Sequence, residues 1–248
     1  MNKLEAVFWD VDGTIADTEL GGHRVAFNLA FQDRKLDWYW DEKEYLELLK
    51  VSGSFDRILF YRNKIQSELT DKDCSKIQSR KRHYYKELIN AGKIKVREGV
   101  LRLMDQLASL GIEQYIVTTS GKDSVEPLLR TSLNSFYNRF VEVITYEDVN
   151  RHKPFPDAYD LAIKSSKKSH YNCIAIEDSS IGVDAAKAAN LSCLLTLPIG
   201  THDLKNINKK ANACVDSLGS NNNPSNLIYG KSLINEIVDY DFLTNIIN

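Results

Sequence analysis

The apolar positions of this chain follow two rhythms, and one interrupts the other. Residues 6–9, Ala-Val-Phe-Trp, form a continuous apolar run that stops at Asp-Val-Asp-Gly-Thr, the pattern of a short strand buried on both faces. After residue 98, short apolar runs alternate with stretches of helical spacing. "GVLRLMDQLASLG" repeats apolar residues three and four apart up to Gly111, and "IEQYIVTTSG" then reads as a strand. The alternation continues through "VEPLLRTSL", "FVEVITYEDV", "PDAYDLAIKSS" with its helix-opening proline, "NCIAIEDSS", "GVDAAKAANL" and "SCLLTL". Strands alternating with helices predict an α/β fold with a parallel sheet covered on both faces. Residues 20–95 break this rhythm. "HRVAFNLAF", "DEKEYLELLKV", "FDRILFYRNKI" and "CSKIQSRKRHYYKELINAG" all carry helical spacing, with no strand pattern among them. The expected organisation is a core of residues 1–19 and 96–248 with an all-α insert over 20–95.

Composition narrows the class of partner. With 248 residues, 43% of them hydrophobic, the chain can bury a core and a small inserted domain. Its 32 basic and 34 acidic residues give a formal charge of -2, so neither nucleic acid nor an anionic membrane surface is an expected partner. No stretch approaches the roughly 20 apolar residues of a membrane span. Cys74, Cys173, Cys193 and Cys214 are widely spaced, contain no C-x-x-C pair and follow a polar opening, "MNKLEA". That usage predicts a reducing, cytoplasmic setting without a zinc cluster or disulfide framework.

Ligands of open parallel sheets sit beyond the carboxyl ends of the strands. The residues that end the expected strands are Asp10 and Asp12, then Thr118, Thr119 and Ser120, then Glu177, Asp178, Ser179 and Ser180, with Lys153 just before a helix start. Four acids at one edge would repel one another and could not all stay ionised without a cation. Mg²⁺ fits best, because it prefers hard oxygen ligands and no His or Cys competes at these positions. A cation, a lysine and a hydroxyl together form a phosphate-binding inventory. In such a site one aspartate can attack phosphorus, and an acid two residues on can protonate the leaving group and later activate water. Two plainer readings of Asp12-Gly13 fit less well. A hairpin turn should lead into an alternating strand, which "TIADTE" is not. A calcium loop with Gly13 at its sixth position would place Phe8 at the first ligand.

Asp10-Val11-Asp12-Gly13-Thr14, then Thr119, then Lys153 in Lys-Pro-x-Pro-Asp, then Glu177-Asp178-Ser179 with Gly182 and an Ala-rich helix resemble, in that order, the four motifs of the haloacid-dehalogenase-like superfamily on its phosphatase and phosphomutase side. The resemblance implies a Rossmann-like core with an inserted helical cap domain that closes over the site. It implies that Asp10 is nucleophile and Mg²⁺ ligand, and that Asp12 is general acid/base and gives its backbone carbonyl to the metal. Asp178, with Glu177 beside it as a ligand or behind one, completes the metal site. Lys153 and Thr119 hold the phosphate, with Ser120 and Gly121 following; Thr118 is a one-residue alternative for the hydroxyl.

The opening of the insert, "DTELGGHRVAFNLAF" and "LDWYWDEKEYLELLKVSG", is similar to that of phosphatases acting on xylulose-1,5-bisphosphate. By that similarity Glu19, His23, Tyr45, Gly53, Arg57 and Lys81 contact a small phosphorylated sugar. Such relatives read Gly-Gly-Lys-Glu-Arg where this chain has Ser52 to Arg57, which leaves Ser54 in the lysine's place. The basic run Lys76, Arg80, Lys81, Arg82, His83 and Lys86 is expected to be a solvated helix face. His23 fits a ligand contact and a buried packing role equally, and Trp38, Tyr39 and Trp40 fit insert packing. The expected activity is a Mg²⁺-dependent phosphatase, monomeric, working through phospho-Asp10. A sugar phosphomutase, or a phosphatase of another sugar monophosphate or phosphoglycolate, stands as the alternative. A dehalogenase would need neither Asp12 nor a metal, and a binding module would not need the full acid set.

Overall fold

The computed structural model describes residues 2–51, 53–201, 204 and 207–248, leaving aside the side chain of Ser135. Ser52 of the Ser52–Arg57 stretch therefore lies outside the described residues. The chain divides into two compact units, Met1–Asp17 with Val96–Asn248, and Thr18–Lys95.

The first unit is a Rossmann-like α/β layer structure. Its seven-stranded sheet comprises β1 (Ala6–Trp9), β2 (Glu113–Val117), β3 (Glu142–Ile144), β4 (Cys173–Glu177), β5 (Ser192–Thr196), β6 (Ala213–Val215) and β7 (Leu227–Tyr229), in the order β3-β2-β1-β4-β5-β6-β7. All pairings are parallel except that of β6 with β7. Helices α5 (Val100–Ser109), α6 (Lys122–Leu133), α7 (Asp157–Ser166) and α8 (Ser180–Ala188) make the crossovers, and α9 (Tyr240–Ile246) packs on α5.

β1 is apolar throughout because it is flanked by β2 and β4 and buried on both faces. Phe8 meets Tyr115 and Tyr159 on one face, within a core that Ala185 and Ala186 of α8 approach closely. On the other side the Trp9 indole N–H donates to Gln114 Oε1 at 3.1 Å, and Gln114 donates onward to Met104 O, so the buried polar atoms are paired. Strand order reverses at β1, which places the crevice of an open α/β sheet beyond the ends of β1, β2 and β4.

The strand expected from "IEQYIVTTSG" ends at Val117, so Thr118 to Gly121 form the loop into α6. The strand in "FVEVITYEDV" is confined to Glu142–Ile144 and is followed by a turn that Thr145 and Asp148 cap reciprocally. β6, β7 and α9 carried no sequence signal. Three-residue strands are too short to show a period, and β7 is only half-buried, so its composition stays mixed.

In the second unit a π-helical turn, Glu19–Arg24, leads into α1 (Val25–Asp33), followed by α2 (Glu42–Leu48), α3 (Ser54–Lys64) and α4 (Asp71–Asn90). A capping box of Thr70 with Asp73 starts α4. The unit is held by an aromatic core in which Trp40 lies 4.6 Å from Phe27 and 4.9 Å from Phe31, ring to ring. Trp38 and Trp40 enter this core, whereas Tyr39 between them is 65% exposed, because an extended segment turns successive side chains to opposite sides. Asn28 fixes that segment by bonding both the N–H and the carbonyl of Trp40 at 2.8 Å. The basic run of α4 is exposed or half-buried as expected, with one exception. Lys81 falls on the stripe Cys74, Ile77, Lys81, Tyr85, Ile89 that faces the core, and it is 4% exposed.

Candidate active site

The end of β1 delivers Asp10, whose N–H donates to Ile176 O on β4. The chain then reverses at Gly13, which has φ +79 and whose N–H closes onto Ala16 O. A methyl group at Gly13 would stand 2.0 Å from Asp178 Oδ2, and one at Gly182 would stand 1.8 Å from Glu177 Oε2. These two glycines are therefore fixed by the carboxylates that fill the space beside them.

Lys153 reaches the same point from the loop before α7. Its ammonium lies 2.8 Å from Asp10 Oδ1, 2.6 Å from Glu177 Oε1 and 2.9 Å from Val117 O, which uses all three of its protons. Tyr159 donates its hydroxyl to the same Glu177 oxygen at 2.5 Å, while Glu177 Oε2 is buried and has no hydrogen-bond partner among the described residues. Oxygens of Asp10, Glu177 and Asp178 all lie within 4.8 Å of one another.

Two of the three carboxylates thus share one lysine. Burial opposes the charge on Lys153, but Asp10 and Glu177 outweigh it and hold the ammonium protonated above its ordinary range. Burial also pushes Asp178 well above the carboxylate range, with repulsion from Asp10 and Glu177 adding to the effect and Arg97 and Lys153 opposing it. Burial raises Glu177 too, against the pull of Lys153. An all-oxygen cluster with unoffset negative charge and an orphaned buried oxygen fits a hard divalent cation. Prediction follows for Gly182→Ala: its methyl must displace Glu177 or shift α8, so Mg²⁺ activation should weaken by about 10- to 100-fold. A Mg²⁺ titration of phosphate release that is unchanged in this variant would show that the Glu177 carboxylate does not matter to the metal.

Asp12 is half-buried, and its Oδ2 accepts a hydrogen bond from the Ser120 hydroxyl. Its carboxylate faces that loop; the three-carboxylate cluster is made by the others. The Thr118 hydroxyl is buried and accepts from Ser120 N at 3.0 Å, whereas Thr119 is exposed and makes no hydrogen bond among the described residues. Gly121 caps the start of α6, and a methyl there would meet the Tyr146 ring at 2.7 Å.

Within the helical unit, the candidates form two sets. The Tyr45 hydroxyl donates to Glu19 Oε2 at 2.6 Å and accepts from Arg57 at 3.2 Å. Arg57 also donates to Leu48 O and Val51 O, so it ties the end of α2 to α3. Lys81 Nζ lies 3.0 Å from His23 Nδ1 and over the Phe27 and Tyr85 rings. Gly53, exposed with φ +86, precedes α3, and Ser54 is its half-buried first residue. Burial, then Lys81 and Arg57, hold the His23 imidazole neutral, well below its usual value near 6.5. A depressed folded-state value makes the contribution of His23 complete above about pH 6.5, and it is lost as pH falls below that point. Thermal unfolding of His23→Gln between pH 7.5 and 5.5 should therefore lose about 1 kcal/mol less than the parent. Equal losses would show that His23 takes up its proton without cost.

Sequence reasoning passed over Tyr159 and Arg97. Tyr159 could have been found on the buried face of α7, four residues after Phe155 in the lysine motif; Arg97, in "KVREGV", has no local signal.

The haloacid dehalogenase-like hydrolase description matches residues 7–196. The protein CbbY of Rhodobacter capsulatus is 34% identical over 195 residues, covering 78% of this chain and 86% of its own. A crystal structure of CbbY from Rhodobacter sphaeroides, as an aspartate-to-asparagine variant in complex with xylulose-(1,5)-bisphosphate, is 31% identical with a TM-score of 0.65, over 86% of this chain and 94% of that one. The β-phosphoglucomutase of Bacillus subtilis is 26% identical over 191 residues, 76% of this chain and 81% of its own.

Proposed function

This chain belongs to the haloacid dehalogenase-like hydrolases and is a phosphatase, and we propose that it hydrolyses xylulose-1,5-bisphosphate with Mg²⁺ through a phospho-Asp10 intermediate. The observation that carries the reading is the ammonium of Lys153 bridging Asp10 and Glu177 beside Asp178, at the strand ends where phosphate would sit. Asp10, Glu177, Asp178 and the Asp12 carbonyl would hold the metal, which when bound supplies charge stabilisation to the phosphoryl oxygens.

Asp10 attacks phosphorus while the ester P–O bond breaks, and Asp12 gives its proton to the departing sugar oxygen. Water then attacks the phosphorus of phospho-Asp10 and gives a proton to Asp12, while the P–O bond to Asp10 breaks, which releases phosphate and restores the Asp10 carboxylate. Lys153 holds the Asp10 carboxylate at 2.8 Å and offers its charge to the transferring phosphoryl group, with the exposed hydroxyl of Thr119 and the Ser120-Gly121 loop as further donors. Glu19, His23, Tyr45, Gly53, Ser54, Arg57 and Lys81 are proposed to select the sugar. The related structure holds xylulose bisphosphate, which supports the substrate class; Ser54 stands where a lysine was expected, and Lys81 and Arg57 are the buried cations of the same unit. Four unpaired, buried cysteines support a reducing, cytoplasmic setting, and among the described residues no helix is long and apolar enough to cross a membrane. The proposed working form is a monomer.

The test is phosphate release with Mg²⁺, with and without EDTA, from xylulose-1,5-bisphosphate, ribulose-1,5-bisphosphate, fructose-1,6-bisphosphate, glucose phosphates and phosphoglycolate. A metal-dependent preference for xylulose bisphosphate is expected. Preference for a monophosphate would move the substrate while leaving the chemistry in place. Conversion of a sugar phosphate to its isomer without phosphate release would favour the phosphomutase reading that the Bacillus relative represents.

A further inference from the structure

Arg97 is 7% exposed and carries a charge that no carboxylate pairs directly among the described residues. Its guanidinium instead donates to three backbone carbonyls: Gly13 O in the turn after Asp12, Leu197 O at 2.6 Å beyond β5, and Asp216 O at 3.2 Å beyond β6. Its own N–H donates to Ile15 O at 2.8 Å, and neighbouring Val96 bridges Ala16. The loop from Gly13 to Ala16 is therefore held from one side by residues 96–97 and from the other by Asp178 packed against Gly13. Burial opposes the charge of Arg97, and Asp178, Asp17 and Asp216 support it only from a distance, without a direct ion pair among the described residues. Its planar fork reaches the three carbonyls in fixed directions, a geometry that a lysine cannot copy.

We propose that Arg97 is a positioning residue for the acid/base step, fixing the turn that carries Asp12 against the ends of β5 and β6. Asp12 is itself tied to this loop, since it bridges Ala16 and its carboxylate accepts from the Ser120 hydroxyl, so its place follows that of the loop. It is half-buried, it follows the strand by three residues, and its carboxylate must reach the leaving oxygen and then a water at the same point. A turn free to shift would cost proton transfer more than it would cost the attack by Asp10, which the sheet itself positions. The proposal rests on the phosphatase mechanism above, in which Asp12 is the acid.

The experiment compares the parent, R97M and R97K on phenyl phosphate and 4-nitrophenyl phosphate, two esters of similar shape whose leaving groups differ in their need for a proton. Values of kcat/KM report the step in which that group departs. R97M should lose about 10- to 100-fold on phenyl phosphate and several-fold less on 4-nitrophenyl phosphate, and R97K should recover part of the difference. A merely structural role would lower both esters alike, so equal losses in folded R97M, or no loss, would overturn the proposal. Should R97M not fold, R97K is read by the same ratio. The phosphatase mechanism is tested separately, by metal-dependent phosphate release from xylulose-1,5-bisphosphate; a parent that releases it, with equal losses on both esters in the variants, overturns this proposal alone.

Discussion

Asp10→Asn should abolish turnover, lowering metal-dependent phosphate release by about 10⁴-fold or more, because an amide oxygen cannot form the phosphoryl intermediate. The fold should survive, since the amide has the same shape and its oxygen can still accept from Lys153, which lies 2.8 Å from Asp10 Oδ1. Lys153 also keeps its ion pair with Glu177 at 2.6 Å, so the buried ammonium is not left alone. Intact-mass measurement during turnover should show a phosphorylated fraction in the parent and none in the variant. The substrate should still bind, as an aspartate-to-asparagine variant of the related CbbY holds xylulose bisphosphate. Residual activity within about tenfold of the parent would exclude Asp10 as nucleophile.

Lys153→Met should have the second largest effect, and it should act on stability as well as rate. Removing the ammonium leaves Asp10, Glu177 and Asp178 together with no direct cation, and breaking such a buried pair costs about 3–5 kcal/mol. Activity should fall by about 10²- to 10³-fold, as when a preorganised donor to a transferring group is lost. The stability loss should depend on pH in a definite direction. Glu177 and Asp178 already stand above the usual carboxylate range through burial, and loss of Lys153 raises them further. Once protonated they no longer need the cation, so the gap between parent and variant in metal-free thermal unfolding should shrink from pH 7.5 to pH 5. A gap that stayed constant would show that the lysine stabilises by packing alone.

The acid set was legible because each member directly follows an apolar run, and parallel strands bring their carboxyl ends to one edge whatever their order. Asp10 and Asp178 needed only that rule and the expected repulsion between them. Lys153 was marked by its place before a helix, but its partners were not. The contact with Asp10 spans 143 positions and that with Glu177 spans 24. The notion that the α4 basic run is a solvated face held for its neighbours and not for Lys81, which the helical period itself places on the inner stripe. Its burial could have been read from Cys74, Ile77, Tyr85 and Ile89; its contact with His23, 58 positions away, could not.

By itself, then, the sequence determined the alternation of strands and helices, the helical insert and the polar residues at the strand ends, since these follow from local period and residue type. Tertiary structure alone decided the strand order around β1, the packing of Asp178 and Glu177 against Gly13 and Gly182, the split of Glu177 between Lys153 and Tyr159, and the three carbonyls that meet at Arg97. The physical reason is that a buried charge or donor takes whatever partner the packed chain brings within about 3 Å, and those partners lie tens to more than a hundred residues away, where no local pattern records them.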